Sequence, residues 1–565
     1  MAKAARSPVR GLGQRDRDAV PTRSAPVRAP ARPVHFPGRM LPVPTQPTPI
    51  CGRPLGLATI HASTLVGLDT YLIRVEVCAT RGPAFFQMVG LAEATVREAR
   101  VRVASALARL GVLLDEHAIT VNLAPADLRK SGAALDLAIA VGVLGAIGKL
   151  DPDACRDSLL LGELSLEGRL QPIRGVLPQV DGARSQGLTQ AIVPAGNAAE
   201  AGLVTGLTVV VAPDLESVCD HLAGRRCLPR APRTGFSPTE GPPGLDLSDV
   251  RGQATARRAL EVAAAGNHNL LLVGPPGGGK TLLARVLPTL LPPLTFTEAL
   301  EATAIQSVAG LVDPERGVVT ARPFRAPHHS VSDAGLVGGG DVPRPGEVSL
   351  AHHGVLFLDE LAEFRRSALE SLRQPLEDGR VCISRARARA WFPARPLLVA
   401  AVNPCPCGYW GHPTRRCRCS PPQRRRYLAR LSGPLLDRID VHVSVPPVDV
   451  RALSRTAPGE PSARVRSRVL AAREQQRRRY QQGAVEHDSN SQLSLSELDQ
   501  VAALDREARA LADRAVEQLG LSARAYVRVL RVARSIADLE ASVDVRAPHV
   551  AEAVQGRLLE AEGLG

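Results

Sequence analysis

Residues 270–281 read LLLVGPPGGGKT. Four apolar residues with no alternating polar face predict a short strand buried on both sides. The eight residues after it, Gly274, Pro275, Pro276, Gly277, Gly278, Gly279, Lys280 and Thr281, satisfy the G-x4-G-K-[ST] pattern between a strand and a helix. Glycines let backbone N–H groups turn inward around a triphosphate, a lysine pairs with its β/γ oxygens, and a threonine hydroxyl suits Mg²⁺. Lysine is rare here: Lys3, Lys130, Lys149 and Lys280 are the only ones among 70 basic residues, and one fills the slot that demands it. The stretch predicts an α/β P-loop core that binds ATP.

About 80 residues downstream, Gly354-Val-Leu-Phe-Leu-Asp359-Glu360 reads as an apolar strand ending in two carboxylates. Asp359 is placed to hold Mg²⁺ and Glu360 to orient and deprotonate the attacking water. A third apolar strand, Leu397–Val402, ends in Asn403, which suits a hydrogen bond to the γ-phosphate or the lytic water. With Asn269–Val273 these strands predict a parallel sheet within a core at 246–447.

The 565 residues imply several domains, and 44% apolar composition supplies each with a core. No apolar run is long enough to span a membrane. Ten cysteines in this length argue against a secreted disulfide scaffold and for the cytoplasm. The net charge of +14 invites nucleic acid, but its Arg-for-Lys skew also fits codon bias. Residues 1–50 hold nine basic residues, two acidic residues and ten prolines. Residues 1–55 therefore read as a disordered Arg/Pro-rich tail; their prolines argue against an organelle-targeting helix.

Residues 56–225 read as an α/β domain. Tyr71–Val77, Ala118–Leu123, Leu159–Leu164 and Gln190–Val193 are strand candidates, and Leu135–Leu144 is an apolar helix. Glu93–Leu110 is expected to be an amphipathic helix with Val96, Val101, Ala104 and Leu107 near one face. Residues 226–245 form a Pro/Gly/Arg linker. From 448 to 565 the chain turns helical: Ser462 is expected to cap a helix to Gly483, Ser496 one to Gly520, and Ser522 a third.

Cys405, Cys407, Cys417 and Cys419 form C-x-C-x9-C-x-C. Structural Zn²⁺, four reduced thiols and a redox switch all remain open readings, because C-x-C is tighter than the usual ligand spacing and His412 could replace a thiolate. Between Ser384 and Leu436 lie eleven arginines and no acidic residue, with Trp391, Tyr409, Trp410 and Tyr427 interleaved. Guanidiniums for phosphates and rings for stacking suit DNA; the alternative is a solvated face. The pairs His328-His329 and His352-His353 read as packing near the nucleotide or as part of an insert rather than as a metal site.

Several strings resemble a known family: VNLAPADLRKSGAALDLAIAVGVL, FRAPHHSVSDAGLVGGGDVPRPGEVSLAHHGVLFLDELAEF, NPCPCGYWGHPTRRCRC, LSGPLLDRID and SARAYVRVLRVARSIADL. Over residues 57–560 the chain resembles the YifB/ComM-type, magnesium-chelatase-like AAA+ ATPases. The resemblance implies an AAA+ P-loop core, an α+β Lon-protease-like front domain of the ribosomal S5 domain 2 type, and an all-α C-terminal lid. By resemblance Asn403 is sensor 1, Arg438 the arginine finger and Arg524 the sensor-2 arginine. A finger acting on a neighbour implies a homohexameric ring, and hairpins such as Arg380–Arg395 are expected to line its pore. On the Lon-like domain the serine and lysine of the catalytic dyad fall on Ala134 and Gln179, so no peptidase is expected; adjacent Lys130 and Ser131 are poorly placed to replace them. The implied function is an ATPase motor on single-stranded or branched DNA, promoting branch migration during natural transformation alongside recombination proteins. The alternative is a chelatase-like motor that remodels a protein partner.

Overall fold

The alternating stretch around Tyr71 and the segment before it fold back on each other as the centre of a first sheet. The computed structural model describes residues 56–557 apart from Ala92, Ser131, Thr234, Glu240, Pro242, Pro243, Ala386, Arg387 and 448–456. The expected tail at 1–55, Ser131 and Arg387 thus lie outside the described residues. Strands β1 (Gly56–Val66) and β2 (Asp69–Arg81) pair antiparallel. With β3 (Phe85–Val89), β4 (His117–Ala124) and β5 (Ser158–Leu160), then β8 (Gln190–Pro194) and β9 (Thr208–Ala212), they form a seven-stranded mixed sheet. Its order is β3-β4-β2-β1-β5-β8-β9. The strand expected at Leu159–Leu164 is interrupted: the Leu161 and Gly162 amides donate to Ile192 and Ala134 carbonyls. The chain then turns into a hairpin of β6 (Glu163–Leu164) and β7 (Leu170–Gln171).

The Ala94–Arg109 helix packs on this sheet through Val96, Ala99, Val103, Ala106 and Leu107. Val101, expected on that face, is 61% exposed. At 100° per residue it lies well round the helix from Val96, so the stripe runs through Val103 instead.

The second sheet is wholly parallel. Its strands are β10 (Leu270–Val273), β11 (Phe324–Arg325), β14 (Val355–Leu358), β17 (Leu397–Val402) and β18 (Val441–Ser444), in the order β11-β14-β17-β10-β18. The intervening strands pair locally: β12 (Gly338–Gly339) with β13 (Arg344–Pro345), and β15 (Arg380–Arg385) with β16 (Ala388–Pro393). Residues of β10, β14 and β17 are buried throughout, as their apolar composition requires. One face of the sheet is covered by the Ala254–Gly266 helix and the C-terminal helices Ser462–Gln481 and Ala523–Leu539. The other face is covered by the β15–β16 pair and the segment 361–372.

Two of the expected caps are corrected. Pro461, not Ser462, precedes the first C-terminal helix; Ser462 is buried, and its hydroxyl accepts from Leu247 N and bonds Thr289 Oγ1, both at 2.8 Å. The single helix expected from Ser496 to Gly520 is two, Leu495–Val501 capped by Ser494 and Arg506–Leu519 capped by Asp505. Each cap side chain accepts the amide three residues on, so the nearest Ser or Asp in phase wins. Ser522 caps Ala523–Leu539 as expected. Among the described residues no helix is long and apolar enough to cross a membrane.

Candidate nucleotide site and arginine cleft

Register places the chemistry. Val273 pairs with Val402 and Leu358 with Ala400, so the residues after β10, β14 and β17 emerge together at one edge of the sheet. Because β17 lies between the phosphate-loop strand and the acidic strand, Asn403 is inserted between lysine and carboxylates.

The loop after Val273 is shaped by its glycines. A Cβ on Gly274 would lie 2.1 Å from the Val445 carbonyl, and Gly277 and Gly279 have φ of +82° and +83°, which other residues adopt at a cost. Lys280 Nζ donates to the carbonyls of Gly274 (2.7 Å) and Pro275 (3.0 Å) and to Asn403 Oδ1 (3.1 Å). Burial lowers the Lys280 pKa, opposed by the negative charges of Asp359 and Glu360. Thr281 Oγ1 donates to Asp359 Oδ2 at 3.0 Å. The two oxygens expected to hold Mg²⁺ are thus side by side, and the donor set fits a hard cation that neutralises phosphate charge.

Glu360 sits at φ +52°, an uncommon left-handed conformation for a glutamate. The bend turns its carboxylate out of the strand line towards His329, whose Nδ1 lies 3.5 Å from Oε2. His329 therefore lies beside Glu360. Sequence reasoning did not find Gln253, whose Nε2 donates to Gly278 O (3.3 Å) and Pro446 O (2.6 Å) and so braces the loop. No motif marks such a residue; only the fold brings it near.

The other histidine pair is elsewhere. His352 and His353 stack with ring centres 3.8 Å apart, and their Nε2 atoms lie 3.0 and 2.8 Å from Glu301 Oε2. His352 Nδ1 accepts from Arg395 N, which makes its Nε2–H a donor to Glu301. Hydrogen bonds to Glu301 hold the two rings together, with the ligand-type atoms of all three residues within 4.8 Å of one another.

The structure does not bring Arg438 or Arg524 to the phosphate loop of the same chain. Arg438 lies just before β18, and Val441 pairs with Leu270 at the start of β10, about 13 Å of strand from the loop. Its guanidinium donates to Arg373 O (3.1 Å) and Pro434 O (2.6 Å) and pairs with Glu377. Arg524 is exposed at the start of Ala523–Leu539. In the same helix Arg528 pairs with Asp440 at 3.2 Å. Arg438, Arg524, Arg528 and Arg531 line one cleft of about 610 Å³ between sheet edge and C-terminal helices.

In the basic stripe, Arg380 and Arg389 lie 4.3 and 4.9 Å from the Trp391 ring centre, and Arg424 lies 5.0 Å from that of Trp410. Tyr427 is not available for stacking: it is buried, and burial followed by the nearby Glu363 and Glu360 charges pushes its pKa up to about 12. The four cysteines 405, 407, 417 and 419 converge, with their sulfurs within 4.8 Å of one another. Ala134 precedes the Asp136–Ala146 helix, and Gln179 lies in the Val176–Ser185 helix. The Gln179 amide accepts from Ser63 Oγ and donates to Gly175 O, both at 3.0 Å. Lys130 is buried and donates to the Gly90 and Pro125 carbonyls.

A parallel sheet carrying a phosphate loop, an acidic strand tip and an asparagine tip in this order defines a P-loop ATPase of the AAA+ class. Family models for the magnesium chelatase subunit ChlI match residues 246–453, for the ChlI subunit of Mg-chelatase 75–197, and for the ChlI C-terminal region 459–557. The chain is 43% identical over 510 residues to the uncharacterized protein YifB of Escherichia coli, covering 90% of this chain and 98% of that protein. It is 44% identical over 514 residues to competence protein ComM of Haemophilus influenzae, covering 89% and 98%. It is also 30% identical over 153 residues to Lon protease 2 of Bacillus subtilis, covering 25% and 26%. The chain belongs to the YifB/ComM family of magnesium-chelatase-like proteins, a membership that implies ATP, Mg²⁺ and ATPase activity.

Proposed function

We propose that this chain is a cytoplasmic ATP-hydrolysing motor that assembles as a homohexameric ring and translocates single-stranded or branched DNA. In this reading it promotes branch migration when incoming DNA recombines. The observation that carries it is the separation of Lys280 and Glu360 at one edge of the sheet from Arg438 and Arg524 at the other. A chain so built cannot complete its own site, whereas a ring places each arginine set against a neighbour's phosphates. Glu360 takes the proton of the attacking water, Asn403 orients it, and Lys280 leaves the loop carbonyls for the β/γ oxygens. Thr281 and Asp359 would hold Mg²⁺, which would supply charge neutralisation to those oxygens.

Three divisions follow: 56–225 as a Lon-like module without peptidase chemistry, 246–447 as the motor core and 448–565 as the lid, joined by the linker 226–245. The exposed arginines of β15 and β16 support DNA as the substrate, and the name of the Haemophilus relative supports competence-linked recombination. The deciding experiment measures phosphate release and subunit number with ATP and single-stranded, duplex or branched DNA. DNA-stimulated turnover by hexamers is expected. Stimulation by a protein partner alone would favour the remodelling motor instead.

A further inference from the structure

The Cys405–Cys419 loop leaves β17 two residues after Asn403 and returns over the phosphate loop. Cys405 Sγ lies 3.4 Å from Cys407 Sγ and 3.7 Å from Cys417 Sγ, and Cys407 Sγ lies 3.7 Å from Cys417 Sγ. Zinc bound to four thiolates at about 2.3 Å sets its sulfurs roughly 3.8 Å apart at the corners of a tetrahedron. Cys405, Cys407 and Cys417 already have nearly that spacing, and Cys419 Sγ lies within 4.8 Å of each of them. Backbone amides point at the sulfurs as they do around thiolate ligands: Trp410 N donates to Cys405 Sγ and Cys419 N to Cys417 Sγ, both at 3.4 Å. Arg415, Arg416, Arg418 and Arg424 surround the cluster in sequence and offset the negative charge that four thiolates would leave on a divalent ion.

The first knuckle also touches the nucleotide machinery. Gly408, at φ +80°, closes the Cys405–Cys407 turn through its amide to Cys405 O at 2.9 Å. A Cβ built there would lie 2.6 Å from Pro276 Cδ in the phosphate loop. We propose that Cys405, Cys407, Cys417 and Cys419 hold one zinc ion, and that this ion clamps the knuckle against Pro276 so that metal occupancy sets nucleotide affinity. The metal site stands on the cysteine geometry alone; the clamp rests on the ATP-binding reading.

The test uses the full chain, purified without chelator. Elemental analysis is expected to give one zinc per chain, kept in Cys227→Ser and lost in the Cys417→Ser/Cys419→Ser double variant. A fluorescent ATP analogue is expected to bind the double variant at least tenfold more weakly. Gly408→Ala, which leaves every ligand in place, is expected to keep its zinc yet also to lose nucleotide affinity, which separates the clamp from a general folding defect. Lys280→Ala is expected to combine full zinc with weak nucleotide binding, so that loss of nucleotide alone does not empty the metal site. Wild-type protein without zinc, or with iron in its place, overturns the metal site. Unchanged affinity in both the zinc-free double variant and Gly408→Ala overturns the clamp. Zinc in a wild-type chain that binds no nucleotide leaves the metal site standing and removes the ATP reading.

Discussion

In the proposed motor Lys280 serves binding and Glu360 chemistry, and their substitutions should separate the two. Removing the ammonium in Lys280→Ala deletes charge-assisted hydrogen bonds, so ATP affinity measured by titration is expected to fall about 10–100-fold. Glu360→Gln keeps the shape of the strand tip but cannot take a proton. Binding should persist while phosphate release drops roughly 10²–10⁴-fold. His352 gives a pH prediction of definite sign. Burial lowers its pKa to about 4, against the hydrogen bond to Glu301, with His353 and Arg395 adding positive charge nearby. As pH falls below about 6.5 the unfolded chain takes up a proton that the native chain refuses until near pH 4. Stability is therefore lost on acidification across that window, by up to roughly 3 kcal/mol. Urea midpoints at several pH values should show this limb in the wild type and a flatter one in His352→Gln.

Among the elements, the β15–β16 pair carries the DNA reading. Arg385 and Arg389 are exposed while Val381, Ile383, Ala390 and Phe392 anchor the pair in the core. Arg385→Ala with Arg389→Ala should leave ATP binding intact. The slope of log affinity against log salt should become shallower by about 0.7–0.9 for each phosphate that the variant no longer neutralises, read by fluorescence anisotropy. This pair was legible in the sequence because its apolar residues alternate, as were β10, β14 and β17 because nothing polar interrupts them. The phosphate loop, Asp359 and Asn403 were legible for a related reason: their chemistry tolerates few other residues at those offsets. Less could be read where several residues compete for one role. Ser494, Ser496 and Asp505 all suit a cap, and only the start of each helix chooses. Val101 looked like core because apolarity says nothing about which side of a helix it occupies. Gln253 and Glu377 matter through interactions made across the fold, and no local pattern announces those.

For the whole molecule, separation of the arginine cleft from the phosphate loop predicts complementation. Lys280→Ala and Arg438→Ala should each be inactive alone. Mixed before assembly, they should recover part of the wild-type turnover, because some interfaces then join an intact lysine to an intact guanidinium. Recovery should follow the mixing ratio. Failure to recover at any ratio would return both groups to a single subunit. The front sheet is tied to the motor core as well: Glu200 accepts from Ser307 Oγ at 2.6 Å, and burial raises its pKa although Ser307 and Asn197 oppose this. Ser307→Ala removes one of the hydrogen bonds to that carboxyl, leaving the one from Asn197, and should lower the melting temperature. The pairing of Arg438 with Glu377 has one more effect. A subunit by itself keeps this guanidinium occupied, so docking in the proposed ring would first have to win it away from an internal counter-ion. Such a latch would let isolated subunits hold ATP quietly and reserve its consumption for the finished assembly.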